Sequence, residues 1–360
     1  MLPVHTDVFM KVYWYSINSV TTMVVTRYKA RLVVRGFEQR EGLDYQETFA
    51  PVAKFPTLRV LLALAVHFDW EIHHIDVKTA FLYPELKETV YMTPPEGYGE
   101  FLPNHKPIPK MLKLLKCLYG LKQALFEWYN HIDEFLRSAG FACSNQDHNL
   151  YLSLESIVLL YVDHILIFGR SLSAVTALKK SLSARYSMVD LGEAKQYLGM
   201  HIEQDRDART IYLNQTRYIT KILERFGMQD CKGISTSTPM EAAALPPCPT
   251  DPAEAIKRTE YQSKVGNVMY AMLRTRPDLA FAVSTLSKYN SCPITAHHSA
   301  MGLVLRYLQA MKNMGIQYKG ESKISAMPEP VCYTDSDWAG DRDKCRSTGG
   351  FVVVLFGGAV

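Results

Sequence analysis

Apolar and polar positions along the chain change period several times, and those changes outline its elements. Residues 1–26 keep no sustained period. Tyr28-Lys29-Ala30-Arg31-Leu32-Val33-Val34-Arg35 then reads as a basic strand ending at Gly36. Pro56-Thr57 opens a helix, because Leu58, Leu61, Leu62, Ala65 and Phe68 share one stripe of a 3.6-residue period. A short strand over Glu71–Asp76 and a helical turn over Val77–Leu82 come next. The Pro- and Gly-rich stretch Tyr91–Pro109 is predicted as loop.

Four more helices have clear punctuation: Phe126–Ala139, Leu172–Tyr186, Thr216–Phe226 and Thr295–Met314. Ile157–Tyr161 and Ile165–Phe168 are apolar runs separated by Val162-Asp163-His164, which predicts a hairpin with a polar tip. Pro239–Pro252 reads as a linker, and the text from there to Gly320 as helical. Strand character returns at Val331–Tyr333 and Gly350–Leu355. Strands and helices mix without strict alternation, so the expected class is α+β.

Composition narrows this picture. The chain has 360 residues, 48% apolar and 21% charged, which excludes a mainly disordered chain and a coiled coil. Its net charge of +4 is too small to identify a polyanionic partner. Seven scattered cysteines, with no C-x-x-C pair, argue against a zinc module or a disulfide framework and predict reduced thiols in an intracellular protein. No secretory signal is legible, and the longest apolar stretch, Ser156–Gly169, carries Asp163 and His164 and is too short to span a bilayer.

Two carboxylates stand out against apolar neighbours. Asp76 closes a strand between Ile75 and Val77, and Asp163 sits at the hairpin tip. On neighbouring strands they would repel each other unless a cation lay between them, as in a two-metal phosphoryl-transfer site. The competing reading is ordinary turn and capping chemistry. Spacing alone leaves both open.

Longer motifs occur in a fixed order. They are Tyr28-Lys29-Ala30-Arg31-Leu32-Val33, Gln39-Arg40-Glu41-Gly42-Leu43-Asp44-Tyr45, Glu47-Thr48-Phe49-Ala50-Pro51-Val52, Asp76-Val77-Lys78-Thr79-Ala80-Phe81-Leu82, Leu118-Tyr119-Gly120-Leu121-Lys122-Gln123-Ala124 and Leu160-Tyr161-Val162-Asp163. Asp190-Leu191-Gly192-Glu193, Tyr197-Leu198-Gly199-Met200 and Arg225-Phe226-Gly227-Met228 follow. Together they resemble the reverse transcriptase of copia-type LTR retrotransposon polyproteins. Thr275-Arg276-Pro277-Asp278 resembles the connection of the same polyprotein, and Tyr333-Thr334-Asp335-Ser336-Asp337-Trp338 the start of its RNase H.

The resemblance implies a right-hand polymerase with fingers, palm and thumb and an antiparallel palm sheet. Its expected divisions are a divergent segment at 1–26, fingers and palm at 27–205, a thumb-like helical region at 206–245, linker and connection at 246–327, and a partial RNase H-like segment at 328–360. It implies RNA-directed DNA polymerisation from an RNA template, a DNA primer strand and deoxynucleoside triphosphates, with two Mg²⁺ ions held by Asp76, the Val77 carbonyl and Asp163. Nucleotide contacts would come from Lys29, Arg31, Phe81, Tyr119, Gly120, Lys122 and Gln123. Leu198, Gly199 and Met200 would form the primer grip. Asp335 would be the remnant of the RNase H acids. Phe81 is equally readable as core packing, Lys29 and Arg31 as a solvated strand face, and 198–200 as a strand with a bulge. Lys106, Lys110, Lys113, Lys116 and Lys122 read as a solvated face or as the wall of a nucleic-acid channel.

This chain departs from the family pattern at the second hairpin acid, where His164 stands in place of Asp. Mg²⁺ favours oxygen donors, so imidazole is a poor replacement, and Mn²⁺ would be better tolerated. Weak or absent polymerisation is therefore expected, and no RNase H activity. The alternative is an inactive remnant that binds nucleic acid non-specifically. A cytoplasmic particle or the nucleus is the implied location; oligomeric state is not legible.

Overall fold

A computed structural model describes residues 10–18, 25–95, 97–102, 107–236, 238–240, 245–247, 256–320, 329–340 and 345–360, with the side chains of 10–18, 25–31 and 101 left aside. It divides into two units. The first comprises Met1–Ala53, Ile75–Ile167 and Thr176–Leu191, the second Lys54–His74, Phe168–Val175 and Gly192–Val360. Strands and helices are mixed, and every named strand pair whose register is defined is antiparallel.

In the first unit, β1 (Met10–Asn18) pairs with β2 (Val25–Val34) in a two-stranded sheet. The residues of β1 lack the alternation that announces a strand in the sequence. A six-stranded sheet, most but not all of whose residues fall in that unit, has the order β10-β3-β9-β8-β7-β6. Its strands are β3 (Glu71–Val77), β6 (Ala142–Cys143), β7 (Leu150–Leu152), β8 (Ser156–Tyr161), β9 (His164–Gly169) and β10 (Met188–Glu193). Ile72 to Ile75 are all buried, as suits a strand with neighbours on both sides, and exposure returns at Asp76. Helix α2 (Ala124–Ser138) buries Ala124, Trp128, Ile132 and Leu136, one every fourth residue; α3 (Leu172–Arg185) follows β9. The predicted loop 91–109 contains β4 (Tyr91–Met92), which pairs with β5 (Leu112–Lys113). A cluster of Val34, Val90, Met92, Leu114, Cys117, Leu121 and Ala124 forms a core beneath Phe81.

In the second unit, α1 (Phe55–Phe68) starts on Pro56 and ends at Asp69 in the left-handed conformation. A four-stranded sheet runs β11 (Gln196–Tyr197), β12 (Met200–Asp205), β13 (Thr210–Asn214), β14 (Gly315–Lys319). Strand β14 corrects the expectation of helix up to Gly320: Ile316 and Tyr318 are buried alternately against β13. Helices α4 (Thr216–Arg225), α5 (Arg258–Arg274), α6 (Ala280–Ser287) and α7 (Thr295–Ala310) share one core that includes Ile219, Leu223, Tyr261, Val268, Leu286, Met301 and Leu305. Strands β15 (Val331–Ser336), β16 (Gly349–Leu355) and β17 (Gly358–Ala359) form a three-stranded sheet. Much of the predicted linker 239–252 lies outside the described residues. Cys117, Cys143, Cys231, Cys332 and Cys345 are free, whereas Cys292 is disulfide-bonded, which corrects the expectation of reduced thiols throughout. Among the described residues no helix is long and apolar enough to cross a membrane.

Candidate active site

The hairpin β8–β9 turns through two residues, Val162 and Asp163. Val162 has φ 57° and Asp163 is not in the left-handed region, the pattern of a II′ turn, which normally carries glycine first. A β-branched residue there is strained. Two backbone carbonyls of the turn are held. The Trp128 indole Nε1–H donates to Val162 O at 2.7 Å, and the Val77 N–H donates to Asp163 O at 2.8 Å. The second bond brings the end of β3 alongside the turn, so Asp76, one residue before the closing Val77, lies near the hairpin tip. Asp76 is half-buried, and the Asp163 side chain is 39% exposed. Beyond Asp76, Lys78 N–H bonds to Ser187 O, which fixes the outgoing chain.

His164 lies next to Asp163, its Nε2 3.9 Å from Asp163 Oδ1. Among the described residues no group of three or more His, Cys, Asp and Glu is placed to hold a metal ion unaided. Two carboxylates on adjoining strand ends nevertheless suit Mg²⁺, which is commonly held by one or two carboxylates, waters and substrate phosphates. The donor set fits a cation completed by substrate oxygens, and it has an imidazole at the position where the family pattern carries a third carboxylate.

Phe81 and Tyr119, both predicted at the nucleotide, are together: their rings meet edge to face at 5.0 Å, and Phe81 also packs on the underlying cluster. Tyr119 O accepts the Val34 N–H at 2.8 Å, tying the motif to the end of β2. Gly120 has φ 94°, and a Cβ there would run into the Val34 carbonyl oxygen, so only glycine permits this approach. Gln123 is fully buried. It accepts from Gln39 Nε2 at 3.0 Å and donates to Asp44 O at 2.8 Å. Lys122 Nζ donates to Gln39 O at 3.1 Å and lies over the Tyr45 ring. These two side chains therefore clamp loop 39–45, a role the sequence did not reveal. Lys110, Lys113 and Lys116 are exposed; Lys106 and the side chains of Lys29 and Arg31 lie outside the described residues.

In the second unit, Leu198 and Gly199 form the tight turn between β11 and β12, with φ of 47° and 80°, rather than a bulge. Met200 is buried. Leu198 O accepts from Tyr270 Oη at 3.3 Å and from Arg274 Nη1 at 3.1 Å, and the Arg274 guanidinium lies 4.0 Å from the Phe55 ring and 3.9 Å from the Tyr270 ring. Phe55, Tyr270 and Arg274 carried no sequence signal. Asp335 sits on β15, opposite Gly350, on an exposed strand.

Residues 7–242 match the family described as reverse transcriptase (RNA-dependent DNA polymerase). The match begins inside the segment expected to be divergent, 1–26. The Pol polyprotein of transposon TNT 1-94 from Nicotiana tabacum is 40% identical over 344 residues, covering 93% of this chain and 25% of that protein. That of transposon RE1 from Arabidopsis thaliana is 39% identical, covering 92% and 22%. A putative transposon Ty5-1 protein of Saccharomyces cerevisiae is 31% identical over 290 residues, covering 79% and 90%. The chain thus spans about a quarter of the two polyproteins. Among solved structures, a foamy viral protease-reverse transcriptase in complex with double-stranded DNA aligns over 92% of this chain and 47% of its own, with a TM-score of 0.45 and 14% identity.

Proposed function

Because the chain belongs to the reverse transcriptase (RNA-dependent DNA polymerase) family, as the reverse transcriptase region of a copia-type retrotransposon polyprotein, we propose that it extends a DNA primer strand on an RNA template with deoxynucleoside triphosphates. The observation that carries this reading is the bond from Val77 N–H to Asp163 O, which sets two carboxylate-bearing strand ends side by side. The six-stranded sheet with α2 is then the palm, β1–β2 belongs to the fingers, and the helical core that begins at α4 is thumb and connection.

Asp76 and Asp163, with the Val77 carbonyl, would hold the divalent ion. When bound, the ion supplies Lewis-acid stabilisation of charge on the reacting phosphate. The chain's own residues do the positioning. Phe81 and Tyr119 form one aromatic wall, suited to lie against the nucleotide sugar and to exclude a 2′-hydroxyl. Lys122 and Gln123 hold loop 39–45 behind that wall. Lys29 and Arg31 are suited to triphosphate oxygens, and exposed Lys110, Lys113 and Lys116 to the nucleic-acid backbone. The Leu198–Gly199 turn would face the primer, and Asp335 would be the acid of the RNase H-like segment.

His164 leaves the site one carboxylate short, so this copy is impaired in Mg²⁺ and better supported by Mn²⁺. The test is single-turnover primer extension on an RNA template in Mn²⁺, using the chain with His164→Asp. Adding Asp76→Asn or Asp163→Asn is expected to cut the rate by a factor of about 10³ or more, as for loss of a group that stabilises transition-state charge. Undiminished extension by either variant would contradict the assignment.

A further inference from the structure

The Asp163 turn adopts a backbone that its sequence disfavours. Val162 occupies the left-handed region in the position where II′ turns take glycine. Strain of this kind persists only when surrounding contacts over-determine it. Two bonds do so here. One is Val77 N–H to Asp163 O. The other comes from α2: Trp128 is fully buried, and its only polar atom, the indole N–H, ends on Val162 O at 2.7 Å. The indole cannot swing away. Tyr186 meets it edge to face at 5.5 Å, Tyr83 lies against it at 6.1 Å and His131 at 6.2 Å. Tyr83 is itself pinned, its Oη accepting the Ser187 N–H at 2.6 Å.

We propose that Trp128 is a positioning residue of the active site: its indole N–H holds the Val162 carbonyl and so keeps the strained turn in the one conformation that presents the Asp163 carboxylate beside Asp76. The inference rests on the polymerase reading for its purpose, not for its geometry. A tryptophan that merely filled the core would contribute ring volume alone and would be indifferent to the residue at 162. An anchor that offsets turn strain becomes dispensable once residue 162 no longer resists the left-handed region.

The experiment is a four-member cycle of wild type, Trp128→Phe, Val162→Gly and the double variant. It is read first by hydrogen exchange at the Val77 amide, whose bond to Asp163 O reports the turn, with no metal or nucleic acid present. Trp128→Phe is expected to speed that exchange about tenfold, the effect of losing one hydrogen bond. In the Val162→Gly background the same change is expected to alter it less than about twofold, since glycine adopts the turn without strain. An equal acceleration in both backgrounds would overturn the proposal, as would none in either. Should Trp128→Phe fail to fold, benzothienylalanine at 128 keeps the ring volume and replaces N–H by sulfur, and the same two outcomes apply. A second readout is Mn²⁺-supported extension in the His164→Asp chain. There Trp128→Phe is expected to lower kcat with KM for the nucleotide unchanged, and Val162→Gly to restore it. Because exchange is measured without substrate, a positive cycle in a chain that makes no DNA upholds the anchor and counts against the polymerase reading alone.

Discussion

Single side chains show how much of this chain's chemistry is set by burial. Cys117 is fully buried in the core beneath Phe81, and burial, reinforced by nearby Glu127 and Glu88, pushes its thiol up to about 12. Only the thiolate is reactive, so Cys117 is expected to resist alkylation at pH 8 while exposed Cys332 and Cys345 are modified readily. Peptide mapping after iodoacetamide treatment checks this; labelling of Cys117 in the folded chain at the rate of Cys332 would contradict it. Gly120 gives a second residue-level test. Its left-handed backbone alone costs an L-residue about 1–2 kcal/mol, and the collision of a Cβ with the Val34 carbonyl adds to that. Gly120→Ala is expected to lower the thermal midpoint by several degrees, whereas Gly42→Ala, at a left-handed glycine with open space around it, carries the backbone cost only.

At the scale of elements, the second unit contains two fastenings with measurable consequences. Arg276, wholly buried after α5, pairs with Asp278 through two bonds of 2.9 and 2.7 Å, donates to Met311 O at 2.9 Å and lies over the Tyr307 ring. Asp278→Ala leaves that guanidinium buried without its carboxylate and is expected to destabilise by about 3 kcal/mol, measured by urea unfolding; a change under about 1 kcal/mol would mean that the pair behaves as a surface bridge. His297 at the start of α7 is the second. Its Nδ1 accepts the Ile294 N–H at 3.1 Å, its Nε2–H then donates to Pro246 O at 2.8 Å, and the ring stacks on Tyr289. Burial, the largest influence, lowers its pKa below the ordinary histidine value. The unfolded chain therefore takes up a proton that the folded chain resists. Stability from this group is complete above the ordinary value of about 6.5 and falls as pH drops through it. His297→Phe should reduce the loss of unfolding free energy between pH 7.5 and 5.5, leaving a remainder from His131, whose pKa is lowered mainly by burial as well. Equal pH slopes in both proteins would refute the assignment.

The same elements show what was legible in the sequence. The hairpin β8–β9 and helices α1, α2, α4 and α7 could be read because long apolar runs or stripes announce buried faces. Strand β14 could not: its two buried positions, Ile316 and Tyr318, are too few to outweigh the helical stripe just before it. Asp76 and Asp163 stood out as acids among apolar residues. The Trp128 indole and the Arg274 guanidinium did not, since each acts on a carbonyl 34 or 76 residues away, and their own surroundings read as ordinary helix face. The family resemblance puts Gln123 at the nucleotide, although its amide is spent on loop 39–45, which is 79 and 84 residues away in sequence. Local pattern reveals which residues are buried or charged; which carbonyl they reach is a property of the fold.

At the scale of the whole chain, a nearly complete set of family motifs is combined with one change at the β8–β9 hairpin, where His164 follows Asp163. Forty basic residues against thirty-six acidic give no strong overall field, so affinity for a template would come from local clusters such as Lys110, Lys113 and Lys116. On the proposed reading, turnover would be set by the donor set at the paired strand ends, where an imidazole stands 3.9 Å from the Asp163 carboxylate. The most direct measurement is the Mg²⁺-supported rate of primer extension on an RNA template, wild type against His164→Asp. Restoring the oxygen donor is expected to raise that rate by about 100-fold or more, with a smaller gain in Mn²⁺. Equal and substantial rates in Mg²⁺ would show that the nitrogen at 164 does not limit the site, and the account of its metal seat would be wrong.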